Sequence, residues 1–351
     1  MIDLFPIAGP LLRSLPPETA HLLTILSLRT GFSPRQRAPD DPLLATRVYN
    51  LDFSNPVGIA AGFDKNAEVI TPMIDMGLGF VEVGTVTPRP QPGNPTPRMF
   101  RLPAQWGLIN RLGFNNKGLD YAVGRLARHR PRRGVIGVNI GKNKTQDDAV
   151  ADYVTGIAAV ADHVDYIALN VSSPNTPGLR ALQGRAPLTT LLQQAIAARD
   201  ATVTRPPLLL KIAPDLTDDD KRDIAEVSLA AGIDGLIVSN TTITRPPGLP
   251  EDRARETGGL SGRPLFALST AVLAQMYRLT GGRLPIIGVG GITGADEAYA
   301  KIRAGASLIQ IYTGLIYGGP ALIRDIKTGL VARLRADGFD NVAAAVGADH
   351  R

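Results

Sequence analysis

The chain has no cysteine among its 351 residues. Disulfides, zinc–thiolate sites, iron–sulfur clusters and cysteine nucleophiles are therefore all excluded. Histidine is nearly as scarce, and the four present show no metal-ligand spacing. Aromatic residues make up only 5% of the chain and interleave with no Lys/Arg block. The formal charge of +6 is thus not the footprint of a nucleic-acid binder. It suits a face resting on anionic lipid at least as well. No stretch reaches about 18 consecutive apolar residues, so no helix is expected to span a bilayer. The N-terminus shows neither the basic region, the continuous apolar run nor the cleavage site of a secretory signal. These absences set the expectation of a cytoplasmic location, with any membrane contact made from one side.

What is present is a repeat. Short, continuously apolar strands alternate with helices, as in a parallel sheet buried on both faces. The strands are expected at 57–61, 80–84, 135–140, 165–170, 208–212, 234–239, 285–289 and 307–311. The helices between and after them are expected at 66–76, 117–129, 147–161, 188–202, 218–231, 264–280, 295–304 and 320–335. Eight such units predict a closed (β/α)₈ (TIM) barrel rather than an open doubly wound sheet. A long insertion, 85–116, follows the second strand, and a loop of about twenty residues follows the sixth.

Ahead of the barrel, two short helices are expected: Asp3–Ser14, interrupted by Pro6 and Pro10, and one from Pro17-Glu18 to Arg29. Proline and an acid stand at the start of the second, where both are favourable. In this helix Leu22, Ile25 and Leu26 are expected on one face, widened by Leu23 and Leu28. Arg29, Arg35 and Arg37 follow as a basic collar. From the residues alone, a helix pair packed on a core and an interfacial amphipathic hairpin are both open readings. The organisation expected is an N-terminal helical segment with its connector (1–44), the barrel (45–335) and an alanine- and glycine-rich tail (336–351). That tail is expected at the surface or poorly ordered.

Polar and glycine-rich residues gather just past the C-terminal ends of the strands, the face that carries the active site in this fold. The stretch Asn170-Val171-Ser172-Ser173-Pro174-Asn175-Thr176-Pro177-Gly178 stops its strand on a loop stiffened by two prolines. Such a loop aims amides and a hydroxyl at a ligand while its backbone stays put. Gly290-Gly291 and Tyr312-Thr313-Gly314, with Gly258–Gly262 as a third arm, form turns suited to a phosphate. Lys65 and Lys211, with Asn139 and Asn170 between them in the chain, suit a flat, carbonyl-rich anion. A lysine beside N1 and O2 of a flavin would stabilise its reduced, anionic ring. The insertion offers Asn110 to a ligand and Phe114 as an apolar cover.

These motifs resemble one family over residues 1 to about 335, the quinone-dependent (class 2) dihydroorotate dehydrogenases. The resemblance rests on Ala60-Ala61-Gly62-Phe63-Asp64-Lys65, Gly84–Asn94, Asn110–Asn116, Asn139–Asn143, the 170–179 loop, Lys211–Leu216, Ser239–Thr242, Gly258–Leu265 and Pro285–Ile292. It implies oxidation of (S)-dihydroorotate to orotate in pyrimidine biosynthesis, with one FMN per chain and a membrane quinone as electron acceptor. Ser173 would be the catalytic base at C5, the C6 hydride going to flavin N5, and Thr176 and Phe114 would flank the proton path. Substrate contacts would fall to Lys65, Asn110, Arg111, Leu112, Gly113, Phe114, Asn170, Asn175, Asn240 and Thr241. Cofactor contacts would fall to Ala61, Gly62, Phe63, Asp64, Lys65, Thr85, Asn139, Asn170, Lys211 and Ser239, with Gly262, Gly291, Tyr312 and Thr313 on the phosphate. No metal is implied.

Class 1 members use a cysteine base, so the absence of cysteine and the presence of Ser173 exclude them. The N-terminal helices, absent from class 1, are similar to the segment that docks on the bilayer surface and admits quinone. This favours a peripheral, monotopic protein on the cytoplasmic side of the membrane, a monomer with no obligate protein partner. A barrel lyase or isomerase acting on a phosphorylated sugar would explain the glycines but neither the asparagines nor these helices. A flavoprotein serving NAD would need a second dinucleotide fingerprint, which is missing. A non-catalytic membrane-surface protein would have no use for Ser173.

Overall fold

Continuous apolar runs can be satisfied only where both faces of a sheet are covered. The computed structural model, which describes residues 5–129 and 134–351, meets that demand by closing the sheet on itself. Two helices, α1 (Phe5–Ser14) and α2 (Pro17–Arg29), precede a small hairpin of β1 (Thr46–Val48) and β2 (Leu51–Phe53). The repeat then runs β3 (Val57–Ile59), α3 (Ile70–Asp75), β4 (Phe80–Val86), β5 (Met99–Leu102), β6 (Gly107–Asn110), α4 (Leu119–Ala127) and β7 (Val135–Ile140). It continues through α5 (Ala149–Val160), β8 (Tyr166–Asn170), α6 (Arg185–Asp200), β9 (Leu208–Ile212), α7 (Asp218–Ala231), β10 (Gly235–Val238) and α8 (Glu251–Ala254). The last part is β11 (Gly259–Gly262), α9 (Phe266–Leu279), β12 (Ile286–Val289), α10 (Ala295–Arg303), β13 (Ala306–Ile311), α11 (Thr313–Gly318) and α12 (Ala321–Ala336).

Eight parallel strands, β3-β4-β7-β8-β9-β10-β12-β13, form the closed barrel in chain order, and Ile309 opposite Val57 pairs the last strand with the first. Inside its lower half the core is layered. Phe80 and Tyr166 fill the space that Gly58 and Gly137 leave, since a Cβ on either glycine would stand 2.4 or 2.0 Å from those rings. The β1–β2 hairpin plugs this end, with the Phe53 ring edge-on to Phe80 at 5.5 Å.

Four expectations need correction. First, the helix after β3 begins at Ile70 rather than Asn66, because the Asp64 carboxylate accepts the Glu68 and Val69 amides, each at 2.8 Å, and Ala67 takes a positive φ. Secondly, the long insertion and the loop after β10, in which no strand was expected, carry strands that meet. Their strands β5, β6 and β11 pair into one antiparallel sheet. Thirdly, the expected single apolar face of α2 is split. Ala20, Ile25 and Leu28 are buried, whereas Leu22, Leu23 and Leu26 face outward with Ile7 and Leu11 of α1. Pro10 lies inside a continuous α1, and the expected start at Asp3 falls outside the described residues. Fourthly, the C-terminal tail is packed. Val342 and Ala345 are fully buried, His350 stacks on Tyr277 at 5.1 Å, and Arg303 pairs with Asp349.

Candidate active site

The C-terminal ends of the barrel strands open into one cavity, roofed by the β5-β6-β11 sheet. Its wall contains Ala61, Gly62, Lys65, Thr85, Asn110, Leu112, Gly113, Phe114, Asn170, Ser173, Asn175, Lys211, Ser239, Asn240, Thr241, Gly262, Gly291, Tyr312 and Thr313. Residues expected from seven of the eight strand ends and the insertion thus meet in one place. Phe63, Asp64, Arg111 and Asn139 do not line it. Phe63 packs edge-on between His21 of α2 (5.6 Å) and Tyr312 (5.9 Å). Asp64 is spent on the amides before α3, and burial raises its pKa. Arg111 turns outward to Glu256 and covers the Phe100 ring. Asn139 sits just beneath the wall.

That lower position has a purpose. Asn139 Oδ1 accepts from Thr85 Oγ1 (2.6 Å) and Asn170 Nδ2 (3.0 Å), while its own Nδ2 donates to Glu82 Oε1 (2.9 Å). Asn170 Nδ2 also donates to Thr85 Oγ1, and its Oδ1 accepts from Asn240 Nδ2 at 3.2 Å. Asn240 Nδ2 reaches Ser172 Oγ at 3.0 Å. One network therefore ties strand ends β4, β7, β8 and β10 together beneath the ligand. Each amide is held by its neighbours before any ligand arrives, so little ordering is left to do on binding.

Glu82 is the hub of this floor, and the sequence reading missed it. Fully buried, it accepts from Tyr166 Oη (3.0 Å) and Gln310 Nε2 (2.7 Å), and lies 3.8 Å from Lys211 Nζ. A glutamate and a glutamine inside otherwise apolar strands were the available signal, because a buried charge persists only when paired and hydrogen-bonded. Arg180 was missed too. Its guanidinium donates to Ser172 O, Asp215 Oδ2 and Thr241 O, stapling the loop after β8 to the loop after β10.

On the same β8 loop, Ser173 is buried and its Oγ accepts the Asn175 amide N–H at 3.3 Å. Asn175 Nδ2 in turn donates to the Asn110 carbonyl. Lys65 Nζ donates to Gly62 O at 2.8 Å. Burial pulls this ammonium down to about 8, the Glu18 carboxylate offsetting part of the fall and Arg98 adding to it.

At the opposite side of the cavity the glycines are obligatory. A Cβ on Gly291 would stand 2.4 Å from Phe266 Cα, and one on Gly262 2.1 Å from Trp106 O, with both residues at positive φ. Thr313 Oγ1 lies 2.8 Å from Ser261 Oγ. Glycine lets each turn pack its backbone against Phe266 or Trp106 while itself lining the cavity, with main-chain groups there of the kind an anion cradle uses. On the wall between cradle and floor, Gln310 Oε1 is buried without a hydrogen-bond partner in the structure, an acceptor left for a ligand's N–H. Lysine and amides at one end and a bare-backbone cradle at the other fit a long, flat, phosphorylated group such as FMN. No group of His, Asp and Glu with metal-binding geometry occurs among the described residues.

Fold and site together define a (β/α)₈ barrel whose strand ends enclose one cavity, with lysines and amides at one side and glycine turns at the other. The family model for dihydroorotate dehydrogenase matches residues 43–334, and the chain belongs to that family. It is 59% identical to the dihydroorotate dehydrogenase (quinone) of Rhodospirillum rubrum, over 100% of this chain and 96% of the relative. The mitochondrial dihydroorotate dehydrogenase (quinone) of Mus musculus is 49% identical over 97% of this chain and 88% of its own. Among solved structures, the Eimeria tenella DHODH in complex with ferulenol superposes with a TM-score of 0.92 at 46% identity, covering 95% of this chain and 96% of that one.

Proposed function

We propose that this chain oxidises (S)-dihydroorotate to orotate in pyrimidine biosynthesis, with FMN as cofactor and a membrane quinone as final acceptor. The observation that carries the reading is the single cavity joining a serine loop, two lysines and a preset amide network to a glycine cradle. Ser173 is assigned the base that takes the C5 proton. Serine is a weak base at its ordinary pKa, so the site must favour its alkoxide. The Asn175 amide donating to Ser173 Oγ does so, because a hydrogen bond to the charged form stabilises it. Thr176, buried beside it, and Phe114, on the cavity wall, flank the route by which that proton leaves. Lys65, Asn110, Asn175, Asn240 and Thr241 hold the carboxylate and ring amides, which orients C6 for loss of a hydride. FMN held in this cavity would supply the hydride acceptor and a relay for the electrons. Thr85, Asn139, Lys211 and Ser239 would support its ring end, and Gly262, Gly291, Tyr312 and Thr313 would hold its phosphate.

The quinone is assigned to the side covered by α1 and α2. Similarity that extends through these helices supports this, as do the rings of His21, Phe63 and Tyr312, which lead from α2 toward the cavity. Exposed Ile7, Leu11, Leu22, Leu23 and Leu26 give this segment an apolar outer face suited to resting on lipid. No helix among the described residues is long and apolar enough to cross a membrane. The reading places the enzyme peripherally on the cytoplasmic face, without a protein partner. Its test is the visible spectrum of the purified protein, held anaerobically, before and after dihydroorotate. A flavin band that bleaches supports the assignment. A flavin that stays oxidised forces another substrate, and a protein that neither carries nor takes up FMN moves a phosphorylated sugar to the front.

A further inference from the structure

Behind the glycine cradle lies a lysine that the catalytic assignment leaves unused. Lys301 of α10 is fully buried, and its stem crosses β12 at Gly288, where a Cβ would stand 3.3 Å from Lys301 Cδ. Its Nζ donates to Ser269 Oγ (2.9 Å) and Thr270 Oγ1 (3.1 Å), both in the opening turns of α9, and sits 5.3 Å from the Phe266 ring centroid. No carboxylate lies within ion-pair distance of it among the described residues. This is an adverse place for a cation. It is out of water, and the two hydroxyls that hold it carry no charge. Two of its partners, Ser269 and Phe266, also touch the cradle. Ser269 Oγ, which accepts from Lys301, lies 3.1 Å from the carbonyl oxygen of Gly290. Gly291 packs against the backbone of Phe266 at the start of the same helix.

We infer that Lys301 is the buried counter-charge of the cofactor's phosphate, a positioning residue that acts from behind the Gly290-Gly291 turn without touching the ligand. The inference rests on reading that turn as the seat of the FMN phosphate. A phosphate dianion in the cradle supplies the negative charge that Lys301 otherwise lacks, and the two charges then stabilise each other through a medium of low dielectric. Burial alone pulls the Lys301 ammonium down to about 7. Its charge is therefore weakly held until an anion is bound, and loading the cradle fixes both. Ser269 links the two, holding the ammonium on one side and the Gly290 turn on the other.

The test separates the phosphate from the rest of the flavin. Wild type, Lys301→Met and Lys301→Gln are each loaded with FMN or with riboflavin. Release is followed by the fluorescence of the freed flavin, with thermal melts as the check on folding. Methionine keeps the length of the side chain without the charge, and replacing a buried charge by an apolar group of similar volume is often tolerated. Glutamine keeps a donor for Ser269 and Thr270. Wild type is expected to hold FMN far longer than riboflavin. Both variants are expected to lose about tenfold or more of that preference, the order for a unit charge acting through a protein interior, while riboflavin release stays unchanged. Unchanged preference in the variants, with wild type still discriminating, overturns the role of Lys301. So does a loss in the Met variant that Gln restores, because the contribution is then hydrogen bonding rather than charge. If wild type holds the two flavins equally, the phosphate seat itself is misread and the inference falls with it.

Discussion

Lys211 Nζ lies 3.8 Å from Glu82 Oε1 on the barrel floor, both side chains out of water. The pair sits beneath the cavity, and Glu82 also anchors Asn139, Tyr166 and Gln310. Removing one partner of a buried pair strands the other and costs about 3–5 kcal/mol. Glu82→Gln is therefore expected to lower stability by several kcal/mol in denaturant unfolding. Glu82→Gln with Lys211→Met is expected to recover part of that loss. Strictly additive losses would show that the two charges do not depend on each other.

Ser173→Ala is expected to bind orotate and FMN normally but to reduce its flavin about 10²- to 10⁴-fold more slowly, the usual worth of a positioned general base. Stopped-flow reduction by dihydroorotate measures it. Near-normal reduction would remove Ser173 from its role.

The Arg180 staple predicts a positional effect. Its planar fork serves Ser172 O, Asp215 and Thr241 O together, and a lysine cannot reproduce that geometry. Arg180→Lys is expected to melt close to wild type yet lose about tenfold or more in kcat/KM, since small misplacements of catalytic groups are costly. An unchanged kcat/KM would reduce Arg180 to a surface tether.

Lys65 gives the site a pH dependence with a definite sign. Its pKa in the free protein is lowered to about 8, so it carries a charge below that pH and loses it above. In the proposed assignment an orotate carboxylate binds the charged form. Orotate affinity is therefore expected to be flat below about pH 8 and to fall by up to about tenfold per unit above it. Titration of orotate against Lys65→Met, whose affinity should be weaker and flat across this range, isolates the group. The same bend in the variant would assign the titration elsewhere.

For α2, the split between inner and outer faces makes point substitutions a cleaner test than truncation. Removing residues 1–30 would also uncover what Ile25 and Leu28 pack against and break the Glu18–Arg98 ion pair. Leu22→Ser with Leu23→Ser and Leu26→Ser touches only exposed positions. This variant is expected to keep flavin reduction and activity with a soluble dye, and to lose vesicle binding and turnover with a long-chain quinone. Undiminished quinone turnover on vesicles would defeat the docking assignment.

Local pattern carried much of the architecture. Apolar strands such as Val135–Ile140, Leu208–Ile212 and the capped helix Asp218–Ala231 are legible because strand burial and helix capping are written in adjacent residues. The cavity wall was largely legible for the same reason: once eight βα units are counted, every strand end must point to one mouth. The tertiary structure decided what depends on residues far apart in the chain. The β5-β6-β11 sheet pairs Leu108 with Ser261, and no periodicity announces such a partner. Which leucines of α2 face inward depends on the barrel surface beneath them, not on their spacing. The tail was expected at the surface or poorly ordered because alanine and glycine give no periodic signal, but Val342 and Ala345 are buried and their segment packs on α10. Glu82, Gln310, Arg180 and Lys301 belong to this second group. Sequence shows a charged or polar residue in each place, and only the folded chain shows which atoms it is held against.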